Sequence, residues 1–187
     1  MKDIYKIKGH IIVECIDKKG TIIDRFENKN LIMDAARTAV SSSIAGMTVA
    51  APMNKFVIGT EGHVTGDYLI PKTELQGFVS SRTELFSEEL SSYTYPIVFN
   101  NPGTAVGPCV IVSEPDSGST ISLNYAGSDV EYTIEIPDIA GNSTGIAVFT
   151  EAALYAGDNI FSMKCFPGKI KDNTVSLRVV WTIKFWC

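Results

Sequence analysis

The last thirteen residues constrain the fold most. Val175, Leu177, Val179, Trp181, Ile183, Phe185 and Cys187 fall on one parity, and Ser176, Arg178, Thr182 and Lys184 on the other. A period of two marks a half-buried β-strand. Terminal residues fray unless something ties them down, so this pattern predicts a final strand built into the core. Trp181 shares the apolar parity and is expected inside. Trp186 falls on the opposite parity beside Lys184, where an aromatic is either covered by another element or offered to a partner.

The same alternation recurs along the chain. Tyr5, Ile7, Ile11, Val13 and Cys15 alternate with Lys6, Lys8, His10 and Glu14, and Asp17-Lys18-Lys19-Gly20 turns the chain into Thr21–Phe26, a β-hairpin. A second hairpin joins Ile121, Leu123 and Tyr125 to Val130, Tyr132, Ile134 and Ile136 through Ala126-Gly127-Ser128-Asp129. Asn30 reads as the N-cap of one helix over about residues 31–45, ending at Gly46, with Ile32, Ala36, Val40 and Ile44 as its apolar stripe. Residues 73–86 read as either extended chain or a short helix. Eight to ten short strands and one amphipathic helix predict a mainly β fold, a β-sandwich or barrel-like antiparallel domain. One domain spans 1–187, since 187 residues suffice for a single substantial core and no linker or repeat interrupts them.

Composition narrows the function classes. With 45% hydrophobic and 20% charged residues the chain is an ordinary globular one, and a net charge of −5 gives no electrostatic footprint for nucleic acid or anionic membrane. Lys2, Lys6, Lys8 and His10 read as the solvated face of a strand. The amino terminus lacks an apolar leader and Ala45–Met53 is too short to cross a bilayer, so synthesis in the cytoplasm without membrane insertion is expected. Cys15, Cys109, Cys165 and Cys187 are scattered without metal-ligand spacing. Buried free thiols are the expectation, and disulfides formed after release from a cell stay open.

Motifs for chemistry are sparse. Gly59-x-x-Gly62 follows a strand but lacks both the dinucleotide-binding pattern and the P-loop lysine, and reads as a glycine-permitted turn. Ser41-Ser42-Ser43 has no partnering base. His10 and Cys15 have opposite parity on one strand and leave opposite faces. His63 and Glu61 supply two ligands where zinc wants three or four. The expectation is no catalytic residue, no metal and no cofactor. Candidate partner contacts are Trp186, Tyr93, Tyr95, Asn100, Asn101 and Asn142.

Asn28-Lys29-Asn30-Leu31-Ile32-Met33-Asp34-Ala35-Ala36-Arg37 is similar to the opening of a family of small structural proteins from tailed bacteriophage virions. Phe56-Val57-Ile58-Gly59-Thr60-Glu61-Gly62, followed by Lys72-Thr73-Glu74-Leu75 and Arg82-Thr83-Glu84-Leu85-Phe86, resembles its next block, with Glu61 where glycine is common. Residues 151–164, then Phe166-Pro167, Lys171 and 175–183, resemble its closing block. Residues 91–144 match nothing in the family. The resemblance implies a non-enzymatic virion component, present in many copies and docked on head, neck or tail subunits, with other virion proteins and copies of itself as partners. The matched blocks would be scaffold, and the variable middle, in particular 93–112 and 139–144, would face partners. Two further classes stay open on the residues alone: a carbohydrate- or receptor-binding adhesin that meets a host-surface glycan through Tyr93, Tyr95 and Tyr125, and a glycan-degrading enzyme built on a close pair of carboxylates.

Overall fold

The computed structural model describes residues 6–47, 51–99, 109–111, 118–142 and 145–186. The alternating sequences form strands as their period requires. The first hairpin is β1 (Lys6–Asp17) and β2 (Ile22–Ile32), turned by Asp17 Oδ1, which accepts from Lys19 N at 2.9 Å and Thr21 N at 2.8 Å. After α1 (Asp34–Ile44) come β3 (Met53–Gly59), the small hairpin β4 (His63–Val64) and β5 (Asp67–Pro71), a single 3-10 turn (Glu74–Gln76), and the four-residue α2 (Phe86–Glu89). The rest is strand: β6 (Thr94–Val98), β7 (Cys109–Ile111), β8 (Thr120–Ala126), β9 (Asp129–Ile136), β10 (Ile146–Ala156), β11 (Asn159–Asp172) and β12 (Val175–Trp186).

The fold is mainly β and barrel-like, with one substantial helix. Among the described residues one antiparallel sheet of ten strands runs β6-β3-β10-β11-β2-β1-β12-β9-β8-β7. It curls on itself because β2 serves both halves: residues 22–30 pair with β1, while Leu31 and Ile32 pair with Met163 and Ser162 of β11. The facing halves enclose the main core, in which Phe56 meets Trp181 edge-on at 6.2 Å and Phe99 lies 5.8 Å from Tyr132. The final strand is central. β12 lies between β1 and β9, and Val175, Leu177, Val179, Trp181 and Ile183 are all buried. Phe185 departs from the pattern and is 37% exposed.

A second apolar cluster occupies the opposite face of β3, β10 and β11, beneath the segment that carries α2. Met33, Val57, Leu85, Phe86, Ala153, Tyr155, Ile160, Met163 and Cys165 form it. These strands are therefore covered on both faces, which explains the nearly continuous apolar runs at 56–58 in β3 and 152–156 in β10.

The helix differs from its sequence-based outline. Asn30 is a buried strand residue opposite Gly9, and Met33 is the N-cap. Strand pairing of Leu31 and Ile32 with β11 delays the helix to Asp34, whose carboxylate suits the first turn. Ala36 is buried and Val40 packs on the core, but Ile44 is 77% exposed. Gly9 leaves the space that the Asn30 amide occupies, since a Cβ there would fall on it. Among the described residues no helix is long and apolar enough to cross a membrane.

Candidate functional site

Among the described residues, hydroxyl, carboxylate and amine groups meet where β10 passes under α2. Glu151, fully buried, comes from the middle of β10. A register shift against β11 between Phe149 and Glu151 sets its direction. On either side of this bulge Phe149 and Ala152 both pack in the main core, so Glu151 turns outward to the α2 side, like Ala153 and Tyr155.

There the carboxylate caps α2. Glu151 Oε2 accepts from Phe86 N at 3.0 Å, and Oε1 accepts from Ser87 N at 2.8 Å. Ser87 Oγ accepts from Thr60 N at 2.8 Å and from Glu61 N at 3.1 Å. A hydroxyl has two lone pairs and one proton, so the Ser87 proton goes to Glu151 Oε1, 2.5 Å away. Burial pushes the Glu151 carboxyl above the ordinary carboxylate value, opposed by the bonds from Ser87 and Phe86 and by the charge of Lys72. With both lone pairs engaged and no exposed surface, Ser87 is a clamp between β10, α2 and the loop after β3 rather than a nucleophile.

Gly59 and Gly62 are what let the loop come this close. A Cβ on Gly59 would stand 2.5 Å from Ser87 Oγ, and one on Gly62 would stand 2.5 Å from Glu151 Cβ and 2.6 Å from Thr150 O. The motif is thus a close-approach device, where the sequence suggested a turn. Gly62 N donates to Thr150 Oγ1 at 2.8 Å, and Lys72 Nζ donates to Glu61 O at 2.6 Å. Lys72 Nζ and the Arg82 guanidinium lie 4.1 and 3.6 Å from the centre of the Phe86 ring, and Arg82 Nη2 pairs with Glu89 at 2.6 Å.

Other buried polar groups also serve the scaffold. Glu14, on the outer face of β1, meets Arg178 at 2.6 Å and Arg25 at 3.2 Å, directly opposite it on β12 and β2. Lys169 meets Asp24 at 2.7 Å. Lys171 is fully buried and donates to Asp138 O at 3.0 Å and Asp172 O at 3.4 Å; burial lowers its pKa to about 8. Cys15 and Cys165 are buried free thiols, as expected. Burial pushes the Cys15 thiol up to about 11 and Cys165 higher still, which makes both poor nucleophiles. The Cys109 and Cys187 side chains lie outside the described ones.

The proposed contact residues scatter. Tyr93 and Tyr95 pack partly buried against the main core, Tyr93 6.0 Å from Phe149 and Tyr95 with its hydroxyl 3.0 Å from Ser119 Oγ. They share the parity of Ile97 and Phe99 and are partly buried, and Tyr93 also lines a surface cleft. Asn142, its amide oriented to suit its neighbours, donates to Ala140 O at 2.9 Å and Asp138 O at 3.3 Å and accepts from Asn173 N at 3.2 Å, a loop-holding role. Asn100 and Asn101 lie outside the described residues, as does the Trp186 side chain; the Trp186 backbone pairs with Lys6. Tyr125 is 56% exposed, on β8. Among the described residues no three His, Cys, Asp or Glu side chains group as a metal site.

Two surface hollows flank these features. An apolar groove of about 570 Å³ runs between α1 and the ends of β1 and β12, lined by Ile7, Val40, Ile44 and Phe185. A smaller cleft of about 310 Å³ opens beside the braced loop, between Glu61, His63, Tyr68 and Tyr93.

Comparisons with family models, with curated proteins and with solved structures find no match to this chain.

Proposed function

We propose that this chain is a non-enzymatic structural component of a tailed bacteriophage virion, made in the host cytoplasm and docked in multiple copies on head, neck or tail subunits. The observation that carries the reading is where the resemblance blocks go. Met33 belongs to the first, Val57, Leu85 and Phe86 to the second, and Ala153, Tyr155, Ile160 and Met163 to the third; with Cys165 they make up the second apolar cluster. Gly59 and Gly62 of the second block pack closely on Glu151 of the third, and Glu61 is tied to it through Ser87. Blocks that resemble one family in sequence and meet in one buried unit support the reading of a shared scaffold.

The unmatched middle has a different place. Residues 91–144 supply β6 at one end of the sheet and β9, β8 and β7 at the other, while the strands between come from the rest of the chain. Sheet edges offer unpaired backbone groups to an added strand. Pro96, within β6, lacks the N–H such pairing needs and suits an edge position. A part that works by placement takes its affinity from many copies binding at once. Quantitative mass spectrometry of purified particles of the encoding phage tests this: the chain should be present in many copies per particle, and its absence would sink the proposal.

A further inference from the structure

The brace fixes three consecutive residues. Thr60 N and Glu61 N donate to Ser87 Oγ, and Thr60 Oγ1 donates to Tyr93 O at 3.3 Å. Lys72 Nζ donates to Glu61 O, Gly62 N donates to Thr150 Oγ1, and Gly62 O accepts from Lys72 N at 2.9 Å. Burying a carboxylate is costly, and here its product is a rigid surface loop. The side chains of Glu61 and His63 on that loop stay partly exposed and line the 310 Å³ cleft, with His63 Nδ1 3.4 Å from Thr150 Oγ1.

The opposite walls are aromatic. Tyr68, 44% exposed, is seated in a notch: a Cβ on Gly168 would stand 2.6 Å from Tyr68 Cδ2 and 2.8 Å from Val148 Cγ1. Tyr93 is held by Phe149 behind it, and Ile146, Ala147 and Val148 complete the wall. Among the described residues lining the cleft there is no Lys or Arg, which disfavours an anionic ligand. Its size stands at the lower end for small-molecule sites. Supported side chains on a pinned loop are what a binding site requires and a bare scaffold does not.

We propose that this cleft binds a neutral saccharide. The C–H face of a sugar ring packs on Tyr68 and Tyr93, and its hydroxyls hydrogen-bond Glu61 and His63. This site shares only Tyr93 with the glycan-contact residues suggested by sequence, and it does not rest on a virion location.

Saturation-transfer difference NMR on the purified chain, with the methyl glycosides of glucose, galactose, mannose and N-acetylglucosamine as probes, tests it. At least one glycoside should receive transfer at its ring C–H protons, and most of that transfer should vanish in both Tyr68→Ala and Glu61→Gln. Ile44→Ser, which alters the separate apolar groove, should leave it intact. Glu61→Gln is close to isosteric and partly exposed, so it keeps the test valid if Tyr68→Ala loses its fold. Transfer from none of the four glycosides, or transfer that survives Glu61→Gln in folded protein, overturns the proposal. Because the measurement uses the isolated chain, its failure would leave the virion reading untouched.

Discussion

Glu151 has no exposed surface, yet three donated hydrogen bonds converge on it. Removing one partner of a buried charged set leaves the others unsatisfied, which costs more than the bonds themselves contribute. Glu151→Gln should therefore lower unfolding stability in urea by roughly 2–4 kcal/mol. Gly59→Ala pushes a methyl against Ser87 Oγ and should cost about 1–3 kcal/mol. Because both act on Ser87, the double variant should lose clearly less than the sum of the two; strict additivity would mean that the brace is not one unit. Lys171 makes a separate prediction with a definite sign. Its folded pKa of about 8 lies below the ordinary lysine value of 10.5, so between those values the unfolded chain binds more protons than the folded one. Stability from this group must then rise as pH rises from about 8 to 10.5, by on the order of 1–3 kcal/mol. Lys171→Met should flatten that rise relative to the parent protein in denaturation midpoints measured across this range. An unchanged slope would contradict the assignment.

The terminal strand is the element whose role was most legible in the sequence. Its parity placed Val175, Leu177, Val179, Trp181 and Ile183 inside, and all five are buried between β1 and β9. Deleting residues 183–187 removes Ile183 and its backbone pairing to Gly9 and Val130. The expected product is insoluble or aggregated, and a soluble, monodisperse truncation on size exclusion would refute a built-in end. Elements defined by more than one neighbour were less legible. Asn30 has cap chemistry, but pairing of the next two residues with a strand 130 residues away kept it in β2. Glu151 stood as one charge in the apolar run Ala147–Leu154, a signal that could have marked a buried acid. Its direction was hidden because a β-bulge inverts the alternation just before it. Tyr93 and Tyr95 lie on the parity of Ile97 and Phe99 and are only partly exposed, whereas Pro96 and Val98 are the exposed residues of β6.

At the scale of the molecule, a scaffold of paired central strands carries sheet ends of a different character. Between Arg82 and Lys164 the sequence has no lysine or arginine, although it carries acidic residues throughout. Glu131 and Glu135 on β9 and Asp138 just after it therefore give the middle segment carboxylates but no amines to report its neighbours. No such charge asymmetry is visible in the net value of −5, which averages it away. The fold class followed from strand count and turns, whereas the assignment of 91–144 to both sheet ends required the order of strands, which no local pattern encodes. In the proposed reading the middle segment meets partners while the braced blocks hold the scaffold. Carboxylate-directed cross-linking with mass spectrometry on intact phage particles separates these two roles. Links from Glu131, Glu135 or Asp138 to another virion protein or a second copy are expected. Intermolecular links confined to scaffold carboxylates such as Asp34, Glu74 and Glu84, with none from the middle segment, would contradict that reading.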